Sequence, residues 1–159
     1  MVNIMQNLTV VQADIATSDD IFQQLSSLDK KCVGAEGWSV DSFKSEVEKN
    51  NGIVLYIAEK DKIIALISAY TAVGEADITS VAVDPDYRRC GLALKLINSL
   101  ETLIPDDTEE IFLEVREFNS AAIALYEKCG FKRISVRKNF YINPVENAVV
   151  MVKKLISNK

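Results

Sequence analysis

The sequence contains no histidine, and its three cysteines, Cys32, Cys90 and Cys129, are odd in number and far apart. Without histidine there is no Ser-His-Asp triad and little prospect of a zinc site, since imidazole is the usual base and a common ligand. The cysteines do not fall at metal-ligand spacing, and scattered thiols point to a reducing compartment. Long apolar runs are also missing: no stretch approaches the ~20 residues of a membrane-spanning helix, and the first residues form no basic-then-apolar leader. The expectation is a cytoplasmic protein with no membrane partner. Positive charge is in deficit, 18 Lys and Arg against 23 Asp and Glu for a net charge of −5, which argues against generic nucleic-acid binding. A mildly acidic surface suits a basic polypeptide substrate, and equally suits none. Repeats, low-complexity tracts and linkers are absent. One domain over residues 1–159 is expected, with 48% apolar residues and a length that supports a sizeable core.

What is present reads as alternating short elements. Leu8–Ala13 is a first strand. Thr17-Ser18-Asp19-Asp20 offers helix caps ahead of Ile21, Leu25 and Leu28 at helical spacing, and Gly34 to Gly37 break that helix. Ser39 begins another, with Val40, Phe43 and Val47 on one face. Ile53–Glu59 and Ile63–Tyr70 flank Lys60-Asp61-Lys62 as a hairpin, and Gly74 precedes a strand from Glu75 to Val83. From Gly91 the set Ala93, Leu96, Ile97, Leu100 and Leu103 keeps a helical rhythm until Pro105. Ile111–Val115 is a strand, Asn119 caps a helix over Ser120–Lys128, and Gly130 follows its end. Lys132–Tyr141 and Ala148–Leu155 are two closing strands around a loop at 143–147. The fold class is mixed α/β with a largely antiparallel sheet.

The organising stretch is Ile78-Thr79-Ser80-Val81-Ala82-Val83-Asp84-Pro85-Asp86-Tyr87-Arg88-Arg89-Cys90-Gly91-Leu92-Ala93. A β-branched strand runs through a Pro turn into a helix opened by two arginines and a glycine. Free N–H groups at a helix start form an anion site, and the arginines add mobile positive charge. Asp84 to Ala93 resembles the acetyl-CoA motif of the GCN5-related N-acetyltransferases, Arg/Gln-x-x-Gly-x-Gly/Ala. A second block, Leu113-Glu114-Val115-Arg116-x-x-Asn119-x-x-Ala122-x-x-Leu125-Tyr126-x-x-x-Gly130-Phe131, narrows the resemblance to the branch that acetylates the N-terminal alanine of ribosomal proteins. The Trp38-Ser39 pair is similar to that branch's Trp-Ser in the substrate-side helices.

The resemblance implies the acyl-CoA N-acyltransferase fold, a six- to seven-stranded sheet flanked by about four helices. It implies acetyl-CoA as co-substrate, no metal, a small-subunit ribosomal protein N-terminus as acceptor, and a monomer or weak dimer. Val81, Ala82 and Val83 would lie beside the pantetheine arm and thioester, and a backbone N–H there would stabilise charge developing on the thioester oxygen. Arg88, Arg89, Cys90, Gly91, Leu92, Ala93 and Leu94 would wrap the pyrophosphate, and Asn119 would hydrogen-bond the coenzyme. Glu114 would be the general base and Tyr126 the general acid, with Trp38 and Tyr141 on the substrate side. Ala93 stands for the usual second glycine, Leu94 for a frequent arginine, and Gly37 for a proline. Cys90 is at most an oxidisable thiol.

The chemistry asks for these types. An amine attacks only when neutral, and a departing thiolate must be protonated. A carboxyl with a free pKa of ~4.3 is a weak base, so the role asks for partial burial of Glu114, and a phenol at ~10 can serve a thiol at ~8.5. Free α-amines titrate at ~7.7–8.0 and lysine at ~10.4, an advantage of ~2.5 units or ~3.4 kcal/mol for an N-terminus as acceptor. Ordinary readings stand beside each role: Glu114 an exposed or salt-bridged carboxylate, with Arg116 as one candidate partner, Tyr126 in a core, Asn119 a plain N-cap, Trp38 a helix anchor. Alternatives remain an acetyltransferase for lysine or a small amine, and a non-catalytic acyl-CoA-binding module. Lys132-Arg133 and Arg137-Lys138 read as a solvated strand face.

Overall fold

Ser18 opens helix α1 (Asp19–Val33), its side chain accepting the N–H of Ile21, with Asp19 and Asp20 in the first turn where the helix dipole favours negative charge. Gly34 ends the helix at φ 89°, its N–H bonded to the Lys30 carbonyl. Ser39 caps α2 (Val40–Glu48) through the N–H of Ser42. The computed structural model describes residues 7–155. Around these helices run β1 (Val10–Gln12), β2 (Gly52–Glu59), β3 (Lys62–Ala72) and β4 (Glu75–Val83). Helix α3 (Leu92–Leu103), β5 (Glu110–Arg116), α4 (Ser120–Lys128), β6 (Lys132–Ile142) and β7 (Val145–Lys154) complete the order. Among the described residues the sheet has seven strands in the order β1-β2-β3-β4-β5-β7-β6. The β4–β5 pair is parallel, and β1–β2, β2–β3, β5–β7 and β6–β7 are antiparallel. The mixed, largely antiparallel α/β sheet with four helices is therefore as expected.

The first strand and the last loop depart from expectation. The first strand is three residues instead of Leu8–Ala13, because Asp14 and Thr17 close a turn directly after it. There the Asp14 N–H reaches Thr17 Oγ1 at 2.8 Å, and the Ala16 N–H reaches Asp14 Oδ1 at 2.8 Å. The last loop is also tighter than 143–147. Ile142 pairs directly with Val145, leaving Asn143-Pro144 as the connection, where a residue without an N–H costs the ladder nothing.

The chain divides into two compact units. The first takes the residues up to Tyr70 together with Ser80–Leu103. Its core joins Phe22, Leu25 and Leu28 of α1 and Phe43 of α2 to Val54, Tyr56, Leu66 and Ala82 of the strands. Alternate strand residues point to opposite faces, and Leu55, Ile57 and Ile67 make a second face that is equally buried. Burial on both faces is why Ile53–Ala58 reads as an unbroken apolar run. Helix α3, whose neighbours include β1 and β2, buries Leu92, Leu96, Ile97 and Leu100.

The second unit takes Thr71–Thr79 with the chain from Ile104 onward. The β4–β5 ladder runs from Glu75 opposite Glu110 to Ile78 opposite Leu113, and β5 pairs along its length with β7. Strand β6 is the edge, exposed from Lys132 to Phe140. Register shifts between Arg133 and Ser135 and between Arg137 and Tyr141 kink it, and Asn139 turns left-handed at φ 53°. Those bulges and the basic side chains discourage pairing with a further strand.

Phe43 is wholly buried in the first unit's core. Replacing it with alanine is expected to cost about 3–5 kcal/mol in a urea unfolding curve, and a loss under about 1 kcal/mol would contradict this packing.

Candidate active site

Strand β4 ends at Val83, and the chain passes through a 3₁₀ turn, Pro85–Tyr87, on its way to α3. Asp84 starts that turn. It is 2% exposed, its Oδ1 accepts the Asp86 N–H at 3.0 Å, and its Oδ2 lies 3.2 Å from Lys31 Nζ and 3.4 Å from Lys62 Nζ. Its backbone is held too: the Asp84 N–H donates to the Ile64 carbonyl and the Tyr87 N–H returns to the Asp84 carbonyl, both at 2.8 Å. Burial opposes the charge on Asp84, but the Asp86 N–H and the two lysines outweigh it and hold the carboxyl below its ordinary value. The Tyr87 hydroxyl donates to Glu59 at 2.9 Å.

Beyond the turn, Arg89 at φ 62° and Gly91 at φ 79° both adopt the left-handed conformation. The Gly91 carbonyl accepts the Lys95 N–H at 3.0 Å, the first bond of α3. The N–H groups of Leu92, Ala93 and Leu94 thus occupy the orphan positions of a helix start. A groove of about 490 Å³ lies alongside, lined by Gly91, Leu92, Leu94 and Lys95 and, further along, by Asn98 and Thr102. Lys95 donates its ammonium to the Leu8 carbonyl, so the exposed Arg89 and the helix start are the groups suited to a diphosphate. Leu94, 42% exposed, gives the groove an apolar side chain.

Ala82 points into the core, so Val81 and Val83 face the opposite side of β4, both half-buried. Arg88, expected as mobile charge at the helix start, is instead folded back: its Nε donates to the Val83 carbonyl at 3.3 Å and its guanidinium meets the Cys32 thiol. Cys32 Sγ donates to the same carbonyl at 3.4 Å, and burial pushes its thiol up. Cys90 is half-buried with Sγ on the Arg88 carbonyl at 3.6 Å. Trp38 is half-buried against the core, its ring tilted 52° to Phe43 at 5.3 Å.

In the second unit, Ile111, Leu113 and Val115 of β5 turn inward and leave Glu114 on the outward face. Its side chain is partly covered there, 31% exposed, and its Oε1 accepts from Arg137 Nη1 at 2.6 Å. Glu114 is thus a salt-bridged carboxylate whose partner is Arg137 and not Arg116. Arg116 binds the β6–β7 connection, with Nη1 3.2 Å from Glu146 Oε1 and 3.1 Å from the Pro144 carbonyl, and Nη2 3.2 Å from the Asn143 carbonyl. Its guanidinium carbon also lies 4.3 Å from the Tyr141 ring centre. Asn119 caps α4, its Oδ1 accepting the Ala122 N–H at 3.2 Å, so the amide NH₂ is the end left to donate. Tyr126 lies on the buried face of α4, its ring edge-on to Phe131 at 6.0 Å. Burial, then the nearby Tyr141 and Cys129, push its hydroxyl far above the usual tyrosine value, so it stays protonated. Tyr126 and Tyr141 are thus brought together, as are Glu114 and Arg137.

Sequence reasoning missed Arg137 as the partner of Glu114, because β5 and β6 are separated by α4 in the chain and by β7 in the sheet, so their side chains meet only once the strand order and register are fixed. It also missed the polar stripe Lys95, Asn98 and Thr102, which repeats at helical spacing opposite the apolar one. Among the described residues no cluster of three His, Cys, Asp or Glu side chains is placed to hold a metal ion.

Residues 20–131 match the acetyltransferase (GNAT) family. Over 118 residues, 72% of this chain and 80% of the relative, the sequence is 36% identical to the ribosomal protein bS18-alanine N-acetyltransferase of Haemophilus influenzae. The crystal structure of the ribosomal-protein-S18-alanine N-acetyltransferase from Escherichia coli superposes with a TM-score of 0.76 at 26% identity, covering 95% of this chain and 99% of that one. In fold alone, a GNAT family acetyltransferase from Elizabethkingia anophelis with acetyl-CoA bound is alike at a TM-score of 0.73 and 15% identity, covering 94% and 99% of the two chains.

Asp84 sets a pH dependence. A carboxyl whose folded pKa is depressed stabilises the fold above its unfolded value of about 3.9, and that contribution is lost as pH falls through the folded value. Asp84→Asn is therefore expected to lower the urea midpoint at pH 7, with the gap to the parent closing below about pH 4. A gap that stays constant from pH 7 to pH 3 would contradict the role given to this carboxylate.

Proposed function

This chain belongs to the acetyltransferase (GNAT) family, and we propose that it transfers acetyl from acetyl-CoA to the α-amine of a protein N-terminus. The acceptor in this reading is the N-terminal alanine of a small-subunit ribosomal protein of the bS18 kind. The observation that carries it is the 36% identity over 72% of this chain to a relative named for that reaction.

Acetyl-CoA supplies an acyl group activated as a thioester. The start of α3, with three orphan N–H groups, left-handed backbone at Arg89 and Gly91, and the exposed Arg89 side chain, fits its diphosphate in charge and in form. Val81 and Val83 offer strand backbone to the pantetheine arm, and the Asn119 amide is a further donor. On the acceptor side, Trp38 and Tyr141 contact the incoming chain. Glu114 receives the proton of the attacking amine: Arg137 engages Oε1 and fixes the carboxylate, and Oε2 takes the proton directly or through water. Tyr126 gives its hydroxyl proton to the departing thiolate. Burial keeps that hydroxyl protonated until it is needed and makes its donation steeper than for a free tyrosine. An α-amine, already partly neutral near pH 7, asks less of a single carboxylate base than lysine does.

Glu114→Gln and Tyr126→Phe are each expected to lower turnover by roughly 10²-fold with acetyl-CoA affinity unchanged within about twofold. Two variants with full activity would overturn these roles. The reaction itself is tested by mass spectrometry of a peptide with a free N-terminal alanine and an internal lysine, incubated with acetyl-CoA. Acetyl is expected on the α-amine, and exclusive labelling of the lysine would refute the reading.

A further inference from the structure

Asp29 lies on α1, 1% exposed, and none of the chemistry above uses it. Both of its oxygens are committed. Oδ2 accepts the backbone N–H of Trp38 at 2.7 Å, and Oδ1 accepts the hydroxyl of Ser80. One turn earlier on the same helix face, the Ser26 hydroxyl donates to the Trp38 carbonyl at 2.7 Å. Trp38 is therefore held at both its backbone polar groups by side chains of α1. The residue before it lies against the helix: a Cβ on Gly37 would stand 2.7 Å from the Lys30 N and Cα atoms. Only glycine fits there, which accounts for the departure from proline noted in the sequence.

We infer that Asp29 is a positioning residue, a buried carboxylate that ties the acceptor-side segment Gly37-Trp38 to the coenzyme-side strand β4 at Ser80. The inference rests on the proposed function, in which Trp38 meets the acceptor and Val81 to Val83 run beside the thioester. The chemistry of the joint requires an acceptor at both ends, since a backbone N–H and a hydroxyl both arrive as donors. A carboxylate accepts both. An asparagine keeps the Trp38 bond through its oxygen and offers its NH₂ to Ser80, whose hydroxyl can turn to accept. Alanine strands both partners in a buried place. Asparagine is therefore the conservative replacement and alanine the disruptive one, while Ser80→Ala cuts the strand end of the joint and leaves the Trp38 bond intact.

The test compares two acceptors, an alanine-initiated peptide of several residues and alaninamide, which is too short to reach beyond the reacting amine. Asp29→Ala is expected to raise the peptide KM by about tenfold, the loss of one buried hydrogen bond's discrimination. Its kcat/KM for alaninamide and its acetyl-CoA affinity should stay within about twofold, Asp29→Asn should restore most of the peptide KM, and Ser80→Ala should fall between. Equal losses with both acceptors in all three variants, or an unchanged peptide KM, would overturn the inference. Should Asp29→Ala not fold, Ser80→Ala decides: an unaltered preference between the two acceptors overturns it. Trp38 is the only tryptophan, so its fluorescence reads the anchor without activity. Acrylamide quenching is expected to rise in Asp29→Ala and Ser80→Ala and to stay near the parent in Asp29→Asn, and parental quenching in all three overturns the inference. If the unaltered chain acetylates neither acceptor, the acetyl-transfer reading falls by itself, and the quenching series still judges the anchor.

Discussion

At the end of β4 a buried carboxylate, Asp84, shares its oxygens among the Asp86 N–H and the ammonium groups of Lys31 and Lys62. Those partners come from α1, from the start of β3 and from the turn itself, so one side chain fixes where a strand stops and how the chain leaves it. The direction matters because the next residues must double back through two left-handed positions, Arg89 and Gly91, to begin α3 with its N–H groups open. A left-handed conformation at a non-glycine residue such as Arg89 costs about 1–2 kcal/mol. It persists because the turn before it and the helix after it are each held by their own bonds. The proposed diphosphate site is thus built by the chain before any coenzyme arrives.

The carboxylates divide the work by burial. Asp84 and Asp29 are buried and every oxygen on them has a donor, which is the condition under which a charge survives inside a protein. They hold backbone in place. Glu114 is different: it stands on the outward face of β5, gripped at one oxygen by Arg137. A group that is to accept a proton must keep an oxygen within reach of its substrate, and the proposed base has the more open setting. Arg116, two residues on, is turned to a structural task at the β6–β7 connection, so neighbours in sequence serve different ends.

Much of the fold was legible in the sequence because local signals were strong. Asn119 caps the helix it was expected to cap, Ser18 is the cap among the four residues offered, and Ser39 caps the helix it was read to begin. Gly34 and Gly130 sit at left-handed helix ends, the Glu75–Val83 strand falls where read, and the hairpin turns within the expected Lys60-Asp61-Lys62 with Lys62 already in β3. The tight final connection was not legible, since it is set by cross-strand pairing that no single segment encodes, and the short first strand was missed because the Asp14–Thr17 turn after it was not read. The candidate site was legible as residue types along the motif and not as partnerships. The folding back of Arg88 onto the Val83 carbonyl and the bond between Glu114 and Arg137 depend on what lies opposite in space. Burial of Tyr126 followed from its apolar helix face, whereas the outward placement of Glu114 followed from the two-residue alternation of β5.

The central claim is that the turn from Asp84 to Gly91 presents a ready-made grip for a coenzyme diphosphate. Calorimetric titration of the unaltered protein with acetyl-CoA tests it most directly. The account predicts one site per chain, with an affinity that weakens as salt screens the helix start and Arg89. Absence of binding, or binding indifferent to salt, would contradict it.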